Sequence, residues 1–285
     1  MTYSPGRRSA SFAVIAACFL PRAAWSQGST ALEIGILPNI SARVLLAQYQ
    51  PMRTFLTQSL GRPVQLSTAP SWNAFHARTL AFDYDLVITA SHVARVAQLE
   101  RGFVPLLMYE PPIKGMIVCA KARPLKNIAD LNGQTLALSN PKSLVTLRGF
   151  QWLAAQGLAR GLSFKTINTP TDDSVGNVVI HGDAVAAMLS GGEYRAIPEP
   201  IAEQLQVVTT FAEVPGFVVL ASPRLAPDLV QSIKQQLLRF SNGSLEGKAF
   251  FAATGFTALR ELPAGLMASM DPYVGTTKAI LAEAG

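Results

Sequence analysis

Two rhythms of apolar and polar positions run through this chain. Short apolar runs over 32–37, 64–67, 85–89, 104–109, 116–120, 134–138, 164–167, 184–188, 207–210 and 217–220 have the length and composition of buried strands. Between them, apolar residues recur at helical spacing. Val44, Leu45, Tyr49, Met52, Phe55, Leu56 and Leu60 form the first such set, closing near Gly61, and Pro51 inside it is predicted to kink or split the helix. Further helices are predicted over 72–80, from Ala90-Ser91-His92 onward, from Ser143 through Leu144, Leu147, Phe150, Trp152 and Leu153, from Asp172-Asp173-Ser174 through Val178 and Val179, over 225–240 and over 249–252.

Strands alternating with helices predict an α/β protein whose sheets are mostly parallel and covered by helices on both faces. In such sheets, ligands sit beyond the carboxyl ends of strands. Three polar clusters occupy that position: Asn39 with Ser41, Ser91 with His92, and Ser139-Asn140-Pro141-Lys142-Ser143. In the third, a strand runs directly into residues that open helices, so the first turn offers free backbone N–H groups and the positive end of a helix dipole, to which Lys142 adds a charge. Pro-containing turns precede the strands near Met116 and Phe217. A chain leaving one lobe near Pro112 and returning near Pro215 crosses twice. The expected domains are therefore 31–112 with 215–285 as lobe one and 113–214 as lobe two, with a hinged cleft between them.

The first residues change this picture only at the N-terminus. Arg7 and Arg8 precede an apolar run over 10–20, too short to span a bilayer well, and Ala24-Trp25-Ser26 offers a cleavage site before Gln27. Residues 1–26 are thus expected to be a signal peptide directing the chain to the periplasm. The lipobox-like Ile15-Ala16-Ala17-Cys18 is a weaker alternative, because much of the apolar run lies close to or after Cys18. Losing Arg7, Arg8 and Arg22 with the leader takes the formal net charge from +6 to +3. The remaining basic residues are dispersed, which argues against a nucleic-acid partner. Cleavage also leaves Cys119 without an intramolecular partner, and its apolar neighbours mark it as a buried strand residue.

Enzyme chemistry finds little support. Ser139 and Lys142 fit S-x-x-K, but Pro141 interrupts the required turn and neither S-D-N nor K-T-G accompanies the match. His76, His92 and His181 lack metal-ligand spacing, and neither a Walker A loop nor G-x-G-x-x-G is present, so no metal or cofactor is expected.

Taken in order, Gly35-Ile36-Leu37-Pro38-Asn39, Gln50-Pro51-Met52, Asp85-Leu86-Val87, the run from Ile128 to Gln134, Asn140-Pro141-Lys142-Ser143 and His181-Gly182-Asp183-Ala184 resemble the phosphate/phosphite/phosphonate substrate-binding proteins of ABC transporters. The resemblance covers essentially the whole mature chain. It implies the two-lobed type II periplasmic-binding-protein fold, a small anionic ligand, an inner-membrane ABC permease as partner and a monomeric state; the same fold feeding a signalling system, as a ligand-sensing or partner-binding protein, is the alternative. The family's ligand loop, Asp-Pro-x-Ser-Thr-Ser-Gly, falls on Asn140 to Thr146, where Pro141 and Ser143 match and two hydroxyl positions have become Leu144 and Val145. A family His before the next helix falls at Asp173 or Ser174. The carboxylates of aminophosphonate binders have no counterpart: Ser190 stands nearest with Glu193 beyond, and Pro215-Gly216-Phe217 carries no acid. An aminophosphonate is therefore not expected. The expected ligand contacts are Asn39, Ser41, Ser91, His92, Asn140, Lys142, Ser143, Thr146 and Ser174, with Tyr49, Trp72 and Tyr109 as aromatic side walls.

Overall fold

The computed structural model describes residues 1–2, 31–169 and 174–283. The expected signal peptide, the Cys18 lipobox and the Asp172-Asp173 helix start therefore lie wholly or largely outside the described residues. In chain order the elements are β1 (Leu32–Ile36), α1 (Ala42–Leu60), β2 (Val64–Ser67), α2 (Trp72–Leu80), β3 (Leu86–Thr89), α3 (Ser91–Arg101), β4 (Val104–Glu110), β5 (Ile113–Ala120), a 3₁₀ turn (Ile128–Leu131), β6 (Thr135–Leu138) and α4 (Leu144–Ala155). There follow β7 (Lys165–Asn168), α5 (Val175–His181), β8 (Ala186–Ser190), α6 (Gly191–Ala196), α7 (Glu199–Ala202), β9 (Leu205–Val214), β10 (Val218–Ala221), α8 (Pro227–Gly243), α9 (Leu245–Thr254), β11 (Ala258–Arg260), a second 3₁₀ turn (Ala268–Met270) and α10 (Asp271–Ala282). Among the described residues no helix is long and apolar enough to cross a membrane.

These strands form two sheets, ordered β11-β4-β10-β3-β1-β2 and β7-β6-β8-β5-β9. The chain passes between them twice, from β4 to β5 and from β9 to β10. Both sheets are mixed rather than mostly parallel. β1 pairs in parallel with β2 and β3, and β6 with β7 and β8. The strands reached by the two crossings run the other way: β10 is antiparallel to β3 and β4, and β5 is antiparallel to β8 and β9. β11 also pairs antiparallel with β4. Periodicity records burial, and burial is the same for both strand directions, so the sequence pattern could not show this reversal.

Each sheet is buried on both faces. Along β3, Leu86 and Ile88 point into a core beneath α1, α8 and α9, while Val87 points into the opposite core with Phe75, Val93 and Phe103. Ile117, Cys119, Leu136 and Leu138 line one face of the second sheet, and Val118, Ala137, Ala187 and Leu189 the other. Continuous apolar strands are the expected outcome of such two-sided cover. Cys119 is fully buried, as expected of a strand residue in an apolar run.

Pro51 does not split α1, which is continuous from Ala42 to Leu60. A proline inside a helix costs roughly 3 kcal/mol. Here Leu45, Tyr49, Met52 and Leu56 are all buried, each large apolar side chain contributing roughly 1.5–3 kcal/mol, so packing outweighs the lost bond. At the return crossing Gly216 lies against the backbone of Tyr109, where a Cβ would stand 2.1 Å from the Tyr109 carbonyl oxygen. The Tyr109 amide donates to the Phe217 carbonyl (2.8 Å) beside it. Close backbone approach, rather than an unusual dihedral, requires glycine here.

Candidate functional site

The carboxyl ends of β3 and β6 meet across the boundary between the two sheets. β3 ends at Thr89, and Ser91 and His92 then form the first turn of α3. β6 ends at Leu138, and residues 139–143 lead into α4. His92 Nε2 donates to the Lys142 carbonyl oxygen at 3.2 Å. Lys142 Nζ donates to Asn73 Oδ1 of α2. The loop before α4 is thus seated directly on the N-terminal ends of α2 and α3.

Three buried polar atoms at the start of α3 have no protein hydrogen-bond partner, Thr89 Oγ1, Ser91 Oγ and His92 Nδ1, and beyond β6 the buried Ser139 hydroxyl faces the Glu193 carboxylate. Thr89, Ser91 and His92 are each 1 % exposed and Ser139 4 %. Leaving such atoms unpaired costs roughly 1–3 kcal/mol each, which a fold does not concentrate in one place without a function to serve. The N-terminus of α3 adds to the set. Its N-cap is Ala90, which supplies no side-chain bond to the first-turn amides. Free amides, the dipole's positive end and two hydroxyl donors together suit an anion.

His92 is neutral at physiological pH. Burial pushes its pKa down to about 4 from the ordinary 6.5, with the bond to the Lys142 carbonyl opposing. Because a carbonyl oxygen can only accept, Nε2 carries the proton and Nδ1 is left as a bare acceptor. Trp72 stands beside the imidazole, ring centroids 6.1 Å apart, anchored by its Nε1 donating to the Pro38 carbonyl at 3.1 Å.

The loop from Asn140 to Thr146 is built differently from an open cradle. Asn140 Oδ1 accepts from the Lys142 amide (3.0 Å), and Ser143 Oγ caps α4 by accepting from the Thr146 amide (3.1 Å). Ser143 Oγ donates to Thr146 Oγ1 (3.2 Å), which in turn donates to the Asn140 carbonyl (2.7 Å). These hydroxyls shape the loop that carries the Lys142 carbonyl. The uncapped helix end here is that of α3, whereas the sequence pattern had pointed first to α4.

The structure therefore brings together Ser91, His92, Asn140, Lys142, Ser143 and Thr146. Asn39 is half-buried and Ser41 exposed, and among the described residues no hydrogen bond joins either to this cluster. Ser174 stands half-buried just before α5. Of the expected aromatic walls only Trp72 adjoins the site. Tyr49 and Tyr109 belong to the core under the first sheet, packed edge-on against Phe250 at 5.0 Å and Phe256 at 5.1 Å respectively. They read as cleft residues in sequence because an aromatic on a helix or strand looks the same from either side. Thr89, the last residue of β3, was not among the expected contacts, although the end of a strand before a helix is where such donors fall.

Leu144 and Val145, at loop positions where the sequence resemblance implied hydroxyls, join Val214, Met270 and Tyr273 in an apolar cluster. Beside it Arg148 donates to the Tyr273 hydroxyl (2.9 Å), which donates to Gln151 Oε1 (3.4 Å). The first turns of α4 thus dock on α10, so these two positions hold the sheets' helices together and leave the ligand wall to other residues. Glu193 folds back onto Ser190 in a capping box, its carboxylate accepting from the Ser190 amide at 2.5 Å. Burial raises its pKa, with the Ser190 bonds opposing. The Ser139 hydroxyl also faces this carboxylate, and its bond there likewise opposes the effect of burial. Among the described residues no group of His, Cys, Asp or Glu could hold a metal ion.

Comparison with known proteins gives a consistent picture. The family described as ABC transporter, phosphonate, periplasmic substrate-binding protein matches residues 34–263. PhnD1 from Prochlorococcus marinus, solved in complex with methylphosphonate, superposes with a TM-score of 0.75 at 15 % identity, covering 87 % of this chain and 98 % of that one. A binding protein component of an ABC phosphonate transporter from Pseudomonas aeruginosa superposes at 0.73 with 14 % identity, covering 90 % of each chain. A Xanthomonas citri protein solved with bound chloride ion gives 0.73 at 18 % identity, covering 88 % of this chain and 100 % of that one. At these identities the superpositions establish the fold, a two-lobed type II periplasmic binding protein. No curated protein matches the sequence.

Proposed function

The chain belongs to the periplasmic substrate-binding proteins of phosphonate ABC transporters, and from that membership we propose that it captures a small oxyanion of the phosphonate, phosphite or phosphate class between the ends of β3 and β6. Proteins of this family bind a solute and present it to a permease; they are not enzymes. The single observation that carries the ligand class is the pair of buried, unpartnered hydroxyls, Thr89 and Ser91, at the uncapped start of α3. Hydroxyl and amide donors in a buried setting bind oxyanions without a full opposite charge, because desolvated dipoles act at short range. Lys142, held on Asn73, adds long-range attraction.

In this reading residues 31–112 with 215–285 supply Thr89, Ser91 and His92, and residues 113–214 supply Ser139 and the loop that closes over them. The two strand crossings serve as the hinge. After export and removal of the leader, the protein works as a monomer that docks on an ABC permease in the inner membrane.

The test is a thermal-shift screen of the mature chain against phosphate, phosphite, methylphosphonate, aminoethylphosphonate, sulfate, taurine and small carboxylates. A ligand at a hundred times its Kd stabilises the folded state by roughly 2.7 kcal/mol. A shift with one phosphorus oxyanion supports the proposal, and Ser91→Ala should then weaken that ligand at least several-fold. Flat curves across the panel would overturn it.

A further inference from the structure

The charge and geometry of His92 narrow the ligand further, resting on the reading of the site as an oxyanion cleft. The imidazole is 1 % exposed, wedged between the start of α3 and the loop before α4. Its Nε2 proton is committed to the Lys142 carbonyl, so the ring is fixed in one tautomer and one orientation. Nδ1, on the other edge, has no partner although it is buried. The other unpartnered groups at the start of α3, the hydroxyls of Thr89 and Ser91, can turn a proton outward and donate. Nδ1 alone among the three cannot: it can only receive.

We propose that His92 selects for oxyanions that still carry a proton, the ligand's P–OH donating to Nδ1 while the serine and threonine hydroxyls donate to its bare oxygens. A monoprotonated phosphonate, phosphite or phosphate carries the donor that Nδ1 lacks. A sulfonate or sulfate of nearly the same shape has no proton to give at neutral pH, and it places an oxygen lone pair against the lone pair of Nδ1. Sites built around a required donor discriminate steeply, because the wrong ligand leaves a buried polar group unpaired. The selection resides on lobe one, in the residue that follows the helix start. The loop before α4, where sequence reading looks first, acts on it indirectly by fixing the ring through the Lys142 carbonyl.

The experiment compares methylphosphonate with methanesulfonate, which differ chiefly in that proton, by isothermal titration calorimetry on the mature wild-type chain at pH 7. Methylphosphonate is expected to bind on the order of 10- to 100-fold more tightly, the range set by one unpaired buried acceptor. Repeating the titration at pH 8.5 in buffers of different ionisation enthalpy should show close to one proton taken up per methylphosphonate bound, since the site takes the protonated form. Lys142 and Glu193 are the other ionisable groups facing this junction. Glu193→Gln in the same titration should leave that uptake in place. His92→Phe keeps a ring in this position and removes the Nδ1 acceptor, and should bring the two affinities to within a few-fold. Equal wild-type affinities for the two anions, or phosphonate binding without proton uptake, would overturn the role of His92 while leaving the oxyanion reading intact. Binding of neither anion nor of any other member of the oxyanion panel would overturn both. The wild-type measurements decide the matter even if His92→Phe fails to fold.

Discussion

Acid should destabilise this protein through His92 in a way that can be isolated and sized. The imidazole titrates at about 4 in the folded state against the ordinary 6.5, because burial strips the charged form of its solvent. The unfolded chain therefore takes up a proton at this residue as pH falls through 6.5, while the folded chain does so only near 4. Between those values the unfolded state binds more protons, so stability falls as pH falls. A shift of this size corresponds to roughly 1–2 kcal/mol lost by pH 5.5 and roughly 3 kcal/mol once both states are protonated. His76 shifts in the same direction, and buried carboxylates add their own terms, so the total slope is not diagnostic. The difference between wild type and His92→Gln is, since every other group is common to both. Urea unfolding of the ligand-free chains can be followed by tryptophan fluorescence, which Trp72 makes local to the site with its ring 6.1 Å from the imidazole. The gap in unfolding free energy should move by roughly 2–3 kcal/mol in favour of the variant between pH 7.5 and 4.5. Parallel curves, with the gap constant to within about 0.5 kcal/mol, a typical margin of additivity, would refute the argument. They would mean that His92 gains its proton as easily when folded as when unfolded.

Other consequences are equally direct. Ser143→Ala removes the side-chain cap of α4 and should lower stability by about 1 kcal/mol, read as a reduced Tm, and weaken ligand binding several-fold by loosening the loop that holds the Lys142 carbonyl. Phe250→Ala empties the aromatic cluster shared with Tyr49, Phe240 and Phe251 and should cost about 3–5 kcal/mol in denaturant unfolding. Gly216→Val drives a side chain into the Tyr109 carbonyl and should cost at least about 1–3 kcal/mol, seen as a lower unfolding midpoint. Replacing both Leu144 and Val145 by Ser removes much of the apolar contact with Met270 and Tyr273, and the ligand-free protein should then show a larger radius of gyration in small-angle scattering.

Much of the fold was legible along the chain. Strands buried on both faces are continuous apolar runs, and β3 and β6 are such runs, each followed by residues that start helices. The Ser143 cap on the Thr146 amide is a local interaction, so it could be read from spacing. Pro-containing turns precede β5 and β10, the strands at which the chain enters the other sheet. Strand direction left no trace: β5 and β10 are as apolar as their parallel neighbours, and only the route by which the chain enters each sheet reverses them. The continuity of α1 through Pro51 was equally hidden, since it depends on Leu45, Tyr49, Met52 and Leu56 finding a core to fill.

The same division runs through the site. Position after a strand marked Ser91, His92 and the loop from Asn140 to Ser143, because a polar residue there faces the end of a sheet whatever the rest of the chain does. Tertiary contact assigned their parts. His92 became a fixed, neutral acceptor only when the Lys142 carbonyl, fifty residues away, came within 3.2 Å of its Nε2. Tyr49 and Tyr109 passed from presumed wall to core because Phe250 and Phe256 lie against them, and Leu144 and Val145 became a contact with α10 rather than a gap in the ligand cradle. Residue type and local spacing limit what a group can donate or accept, whereas burial, tautomer and partner depend on segments remote in sequence, which only folding brings into contact.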